Sequence, residues 1–201
     1  MKEIIERLSK IEHGFKEVEV EARHIFQSNS SRNVFEIANE FFENEIYQTR
    51  MLAVFLWGYI ASKDHTALNI LRTKAGCDHN WRVQEILAKS FDYFCSDIGY
   101  EEAMPVITDW LHDSNPNVCR AVTEGLRIWT NRPYFQTNPK IAIELISQHK
   151  TSESEYLRKS VGNSLRDIAK KNRILVENEI STWDLSDKRN LFTYKLVTKL
   201  K

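Results

Sequence analysis

The feature that most constrains this chain is one helical stretch that returns at intervals of about 35 to 39 residues. In YLRKSVGNSLRDIAKKN, residues 156–172, Leu157, Val161, Leu165 and Ile168 recur at helical spacing, so one face packs inward. The opposite face carries Arg158, Lys159, Asn163, Arg166, Lys170 and Lys171. VCRAVTEGLRIW, which begins at Val118, repeats the arrangement 39 residues upstream, with Val122 for Val161, Leu126 for Leu165 and Arg127 for Arg166. A looser copy, VQEILAKSFDYF, begins 35 residues before that, at Val83. A pair of helices cannot bury its apolar face alone, so one such helix per period calls for stacked pairs. The expectation is an all-α solenoid of paired-helix repeats.

The rest of the chain reads as helix throughout. Residues 2–26 are amphipathic and break near Gly14, and the polar Ser28–Ser31 stretch offers a cap for a helix to about Glu43. Residues 46–61, IYQTRMLAVFLWGYIA, are too apolar for a surface helix and suit the inner member of an early pair. Further helices follow from Asp64 to Lys74, Trp81 to Ser96, Glu101 to His112 and Pro139 to Lys150, with breaks at Gly76–Asn80, Asp113–Asn117 and Asn131–Asn138. Two short helices near 174–183 and 187–199 close the array. No segment alternates apolar and polar residues between turn signals, so no strand is expected. The whole reads as one repeat domain, with amino-terminal helices in 1–45, core repeats in 46–172 and a carboxy-terminal cap in 173–201.

Several function classes drop out. No apolar run approaches the ~18 residues needed to span a membrane, and MKEIIERLSK lacks the apolar core of a secretion signal. Cys77, Cys95 and Cys119 are odd in number and lack ligand-pair spacing, so they read as reduced thiols of a cytoplasmic protein. His79 beside Cys77 has no second ligand pair, which excludes a metal site. The nucleophile elbow and the phosphate-binding Gly-rich loop are both missing. The net charge is zero, yet residues 140–201 hold 13 Lys and Arg against 8 Asp and Glu, while residues 1–46 hold 6 against 10. That polarity suits an oriented contact with an anionic partner; a chance imbalance of a few charges is the plainer reading.

Three segments carry a resemblance: WRVQE at 81–85, NPNVCRAVTEGLR at 115–127 and SEYLRKSVGNSLRDIAK at 154–170. Over about residues 47–172 the chain resembles the DNA alkylation-repair glycosylases built from HEAT-like repeats, the AlkC and AlkD kind. The resemblance implies a HEAT-like fold and hydrolysis of the glycosidic bond of N3- or N7-alkylated purines in duplex DNA. No metal or organic cofactor is implied, and a monomer is expected. The chemistry is coherent, because an alkylated purine already leaves well. The useful protein group is an anion near C1′, where oxocarbenium charge develops, with cations on the flanking phosphates.

Position by position, the resemblance makes Trp81 and Glu85 the two ends of the family's W-x-x-x-[DE] run. Glu124 becomes the carboxylate of the AlkC branch and Arg120 the phosphate contact of the AlkD branch. Glu85 and Glu124 are thus the expected catalytic carboxylates, flanking the reacting sugar. Trp81, Arg120, Arg158, Lys159, Asn163 and Arg166 are the expected DNA-binding residues. Asn163 stands where the AlkD branch has a second aromatic, a departure toward the AlkC branch. The AlkD-type amino-terminal motif rich in Tyr, Phe and Gly is missing, as is the extra carboxy-terminal domain of some AlkC proteins. Plainer readings stay open: Glu85 as a solvated carboxylate, Trp81 as core, Glu124 paired with Arg120, and the cations as a solvated face. Trp57, Trp110 and Trp129 read as packing residues. Two alternatives of other classes remain: a non-catalytic binder of damaged or branched DNA, and a protein-binding scaffold.

Overall fold

The computed structural model describes residues 1–199, so the last two residues of the expected cap lie outside the described part. Twelve α-helices and no strand occur among the described residues. They are α1 (Lys2–Leu8), α2 (Lys16–Ser28), α3 (Ser31–Phe42), α4 (Tyr47–Ile60), α5 (His65–Thr73), α6 (Trp81–Ile98), α7 (Met104–Leu111), α8 (Pro116–Trp129), α9 (Pro133–Thr137), α10 (Pro139–Ser147), α11 (Glu155–Ser181) and α12 (Lys188–Val197). Most starts are written in the sequence. Ser30, Asp64, Asn80, Asn115, Ser154 and Asp187 each accept a backbone N–H of the first turn through the side chain, which satisfies donors that the helix itself leaves open.

Two boundaries differ from expectation. The break at 131–138 contains α9, where Pro133 takes a first-turn position at which its missing N–H costs nothing. The helix expected to end at 172 continues to Ser181 as α11, but Asn172 leaves helical geometry at φ −125°, ψ 46°, so a kink stands at the expected boundary.

The residues gather into two compact units, Met1–Gly99 and the part from Tyr100 onward. In the first, α4 is the central element and packs against α2, α3, α5 and α6. Nearly all its side chains are buried, as a helix that is apolar on every side requires. Its Gly58 lets α6 approach closely: a Cβ there would stand 2.5 Å from the Cβ of Ser90. The Ser90 hydroxyl donates to the Val54 carbonyl at 2.8 Å across the same contact. In the second unit α8 packs on α7 and α11, while α10 and α12 pack on α11. Trp129, Tyr100 and Phe135 form an aromatic core with ring centroids 5.2 to 6.1 Å apart. Trp57, Trp110 and Trp129 are all buried, as packing residues should be.

Candidate nucleic-acid interface

Four helices, α4, α6, α8 and α11, begin in the same way, and this fixes which side chains they present. Two residues before each start cap, Asn44, Asp78, Asp113 or Ser152 accepts the N–H of the residue two further on, at 2.9, 2.8, 2.7 and 3.3 Å. The fourth helical residue then reaches back to the carbonyl six residues before it. Arg50 donates to Asn44, Gln84 to Asp78, Cys119 to Asp113 and Arg158 to Ser152. Turn and donor recur together in both units. The next position in each helix is Met51, Glu85, Arg120 and Lys159; the last three face outward or are only half-buried. Glu85, Arg120 and Lys159 are therefore equivalent positions, and Arg158 is not one of them.

That register corrects one expectation. Arg158, expected on the cationic face, is 9% exposed. Its guanidinium donates to the carbonyls of Ser152 and Glu153 and lies over the Phe192 ring, 5.2 Å from the centroid. The residue pins the loop before α11 to α12. Sequence spacing alone set it beside Lys159, yet one position along a helix turns a side chain by about 100°. The signal that would have placed it is the turn series Asn44, Asp78, Asp113 and Ser152.

In the first unit Trp81 is the first residue of α6, whose Asn80 cap accepts the Arg82 N–H at 3.0 Å. Its indole is half exposed, at 51%. The Arg82 guanidinium sits over that ring, 4.5 Å from the centroid, and 5.2 Å from the centroid of Tyr47. Glu85 lies one turn further on the same exposed side. It is exposed and makes no hydrogen bond or ion pair among the described residues. Trp81 is thus surface and not core, and Glu85 is an open carboxylate beside it.

In the second unit Arg120 lies over the exposed ring of Tyr156, 4.3 Å from its centroid. Glu124 does not pair with Arg120. It accepts the Ser160 hydroxyl at 2.6 Å and meets Arg127 at 3.1 Å. Arg127 continues to Asp167 at 3.3 Å, and Lys170 reaches Asp167 at 2.8 Å. Burial raises the Asp167 pKa, but Lys170, Arg127 and Arg166 outweigh it and hold the carboxyl below its ordinary range. Asn163 accepts from Arg166 at 2.9 Å, and Arg166 also donates to the Leu196 carbonyl at 3.3 Å. Lys159 pairs with Glu155 at 2.7 Å on the surface. Arg127, Asp167, Lys170 and Lys171 line a cavity of about 400 Å³. The expected run of Arg120, Arg158, Lys159 and Arg166 is thus not one row: Arg120 and Lys159 share a register, Arg166 matches Arg127, and Arg158 is inside.

Among the described residues, no helix is long and apolar enough to cross a membrane. No group of three or more His, Cys, Asp or Glu side chains is arranged to hold a metal ion.

Comparison with known proteins extends these observations. AlkD2 from Streptococcus mutans is 49% identical, with a TM-score of 0.94, over 99% of this chain and 98% of that one. The smu.31 protein from Streptococcus mutans UA159 is 48% identical, with a TM-score of 0.91, over the same shares. The alkylpurine DNA glycosylase AlkC of Pseudomonas fluorescens, solved bound to DNA containing an abasic site analog, shares the fold at 19% identity. Its TM-score is 0.51, over 96% of this chain and 61% of that one. No curated protein sequence matches. A sequence profile described as the DNA alkylation repair enzyme matches residues 15–190, and the chain belongs to that family.

Proposed function

We propose that this DNA alkylation repair protein is a glycosylase that hydrolyses the N-glycosidic bond of N3- or N7-alkylated purines in duplex DNA. The observation that carries the reading is the open pair at the start of α6: an exposed indole and, one turn on, an exposed carboxylate with no neutralising partner among the described residues. A cationic alkylpurine needs little help to leave, so the barrier falls chiefly through stabilisation of positive charge at C1′. A carboxylate does this only while ionised. Glu85 is therefore the acting anion and the group that orients the attacking water. Glu124 is secondary, because Ser160 and Arg127 already occupy its oxygens. Arg120 supplies a phosphate contact. The glycosylase AlkC, which has this fold and was solved bound to DNA containing an abasic site analog, supports DNA as the partner.

Glu85→Gln keeps the shape and hydrogen-bonding capacity of the side chain and removes its charge. Single-turnover release of 3-methyladenine or 7-methylguanine should fall by about 10²-fold, the effect of losing one preorganised electrostatic partner. Affinity for DNA should hold or rise, since a negative charge facing phosphates is gone. Release at the parental rate would remove Glu85 from the chemistry. A second reading, a non-catalytic binder of damaged or branched DNA, is favoured by the state of Glu124, since only one of the two expected carboxylates is open. Duplex binding by the parent with no base release is the result that selects it.

A further inference from the structure

Most arginines of this chain are paired with a carboxylate; Arg50 and Arg127 are examples. Arg82 and Arg120 are not. Neither meets a carboxylate among the described residues, and the contacts described for both are aromatic rings: Trp81 and Tyr47 for Arg82, Tyr156 for Arg120. Arg82 is the second residue of α6 and Arg120 the fifth of α8, near the starts of helices that share one register, one in each unit. We propose that Arg82, in the first unit, is a backbone-phosphate contact beside Arg120 of the second, held in place by Tyr47 and Trp81 as Arg120 is held by Tyr156. The inference rests on the duplex-binding reading above and extends it to a residue that the family resemblance does not assign.

The physical argument is one of unused capacity. A guanidinium over an aromatic ring engages the π face through its cationic plane, and its five N–H donors remain at the plane's edge. Those donors match two oxygens of a phosphate bidentately, the geometry for which Arg is favoured over Lys. The ring also limits where the side chain travels, so less rotamer entropy is lost on binding than for a free arginine. The ligand's sign follows from the same contact. A cationic alkylpurine is repelled from the side of the indole that already carries a guanidinium, whereas an anionic phosphate is attracted to it. Arg82 therefore makes its side of Trp81 a surface for the backbone and leaves the damaged base to be met elsewhere.

The test uses the full chain and a short, undamaged, fluorescein-labelled duplex, with affinity followed by anisotropy over about 50 to 200 mM salt. Arg82→Gln should weaken binding by about 5- to 10-fold at the low end and flatten the log–log salt slope by ~0.9, one phosphate's worth of released counterions. Arg82→Lys keeps the charge without the fork, so it should keep the slope and lose about threefold in affinity. Tyr47→Leu should also keep the slope while weakening binding about two- to threefold, the mark of a residue that positions the cation without contacting phosphate itself. Circular-dichroism melting confirms that each variant folds. A parent that binds with a clear slope, beside an Arg82→Gln variant with the same affinity and slope, overturns this inference alone. A parent that does not bind duplex at low salt overturns the DNA-binding reading and this inference together.

Discussion

Replacing Asp78 by Ala removes the acceptor that holds the start of α6 and the inside of α4 at once. Its carboxylate takes Arg50 Nε at 2.6 Å and Nη2 at 3.2 Å, and the two side chains are 3% and 7% exposed. The same carboxylate accepts the Asn80 N–H at 2.8 Å. Without it, the Arg50 guanidinium stays buried with the carbonyls of Asn44 and Glu45 and the Nε2 of His79, at 3.4 Å, to face, and no carboxylate among the described residues. An ion left alone in this way costs about 3–5 kcal/mol, and the lost turn bond adds about 1 kcal/mol. The expected total, ~4–6 kcal/mol, is a large share of the whole stability of an ordinary domain. Pairing the change with Arg50→Met removes the stranded charge but leaves the two carbonyls without a donor, so the double variant should recover about 2 kcal/mol of the loss. Urea unfolding is the assay, with the midpoint shifted and the slope unchanged. Asp78→Ala within about 1 kcal/mol of the parent, or a double variant less stable than the single one, would refute the reasoning. Asp78 lies three residues before Trp81, so excision should fall with the population of folded α6.

Arg158→Met should lower the melting temperature, since it removes the donors to Ser152 and Glu153, and leave the salt slope of DNA binding unchanged; a flattened slope would return Arg158 to the interface. His149 is half-buried, and burial lowers its pKa against the opposing pull of the Leu111 carbonyl, with His112 adding to the lowering. The unfolded chain then takes up a proton near the ordinary value of about 6.5 before the folded one does, so stability is lost as pH falls through 6.5 toward the folded value and is unaffected above it. His149→Gln should lose less melting temperature than the parent between pH 7.5 and 5.5, and equal losses would rule the group out as the cause.

The fold was legible because helix signals are local. Gly14 turns the chain at φ 81°, Ser30 and Asp64 cap α3 and α5, and the apolar run of α4 has nowhere to go but inward. The spacing of Val83, Val118 and Leu157 marked the repeated helices for the same reason. The site was legible only where exposure follows from helical phase. Trp81 and Glu85 share a face because four residues make about one turn. The sequence concealed the contacts made at a distance along the chain. Nothing near Glu124 announces that Ser160, 36 residues on, donates to it. Nothing near Arg82 announces Tyr47, 35 residues earlier.

The division of the cations follows from one rule of helix starts. At the fourth position of each repeated helix a donor must reach the loop carbonyls, which would otherwise be buried without a partner. Arginine at that position, as in Arg50 and Arg158, is consumed by the fold, and glutamine or cysteine does the same task in α6 and α8. A cation one position later, as in Arg120 and Lys159, points away from those carbonyls and has no such duty. In α6 that later position holds Glu85, an anion where α8 and α11 carry cations and α4 carries the buried Met51. A surface meant only to hold phosphates gains nothing from a carboxylate there, because it repels the ligand its neighbours attract. The exchange makes sense where positive charge develops on the ligand itself, which is what hydrolysis at C1′ of an alkylated nucleoside requires.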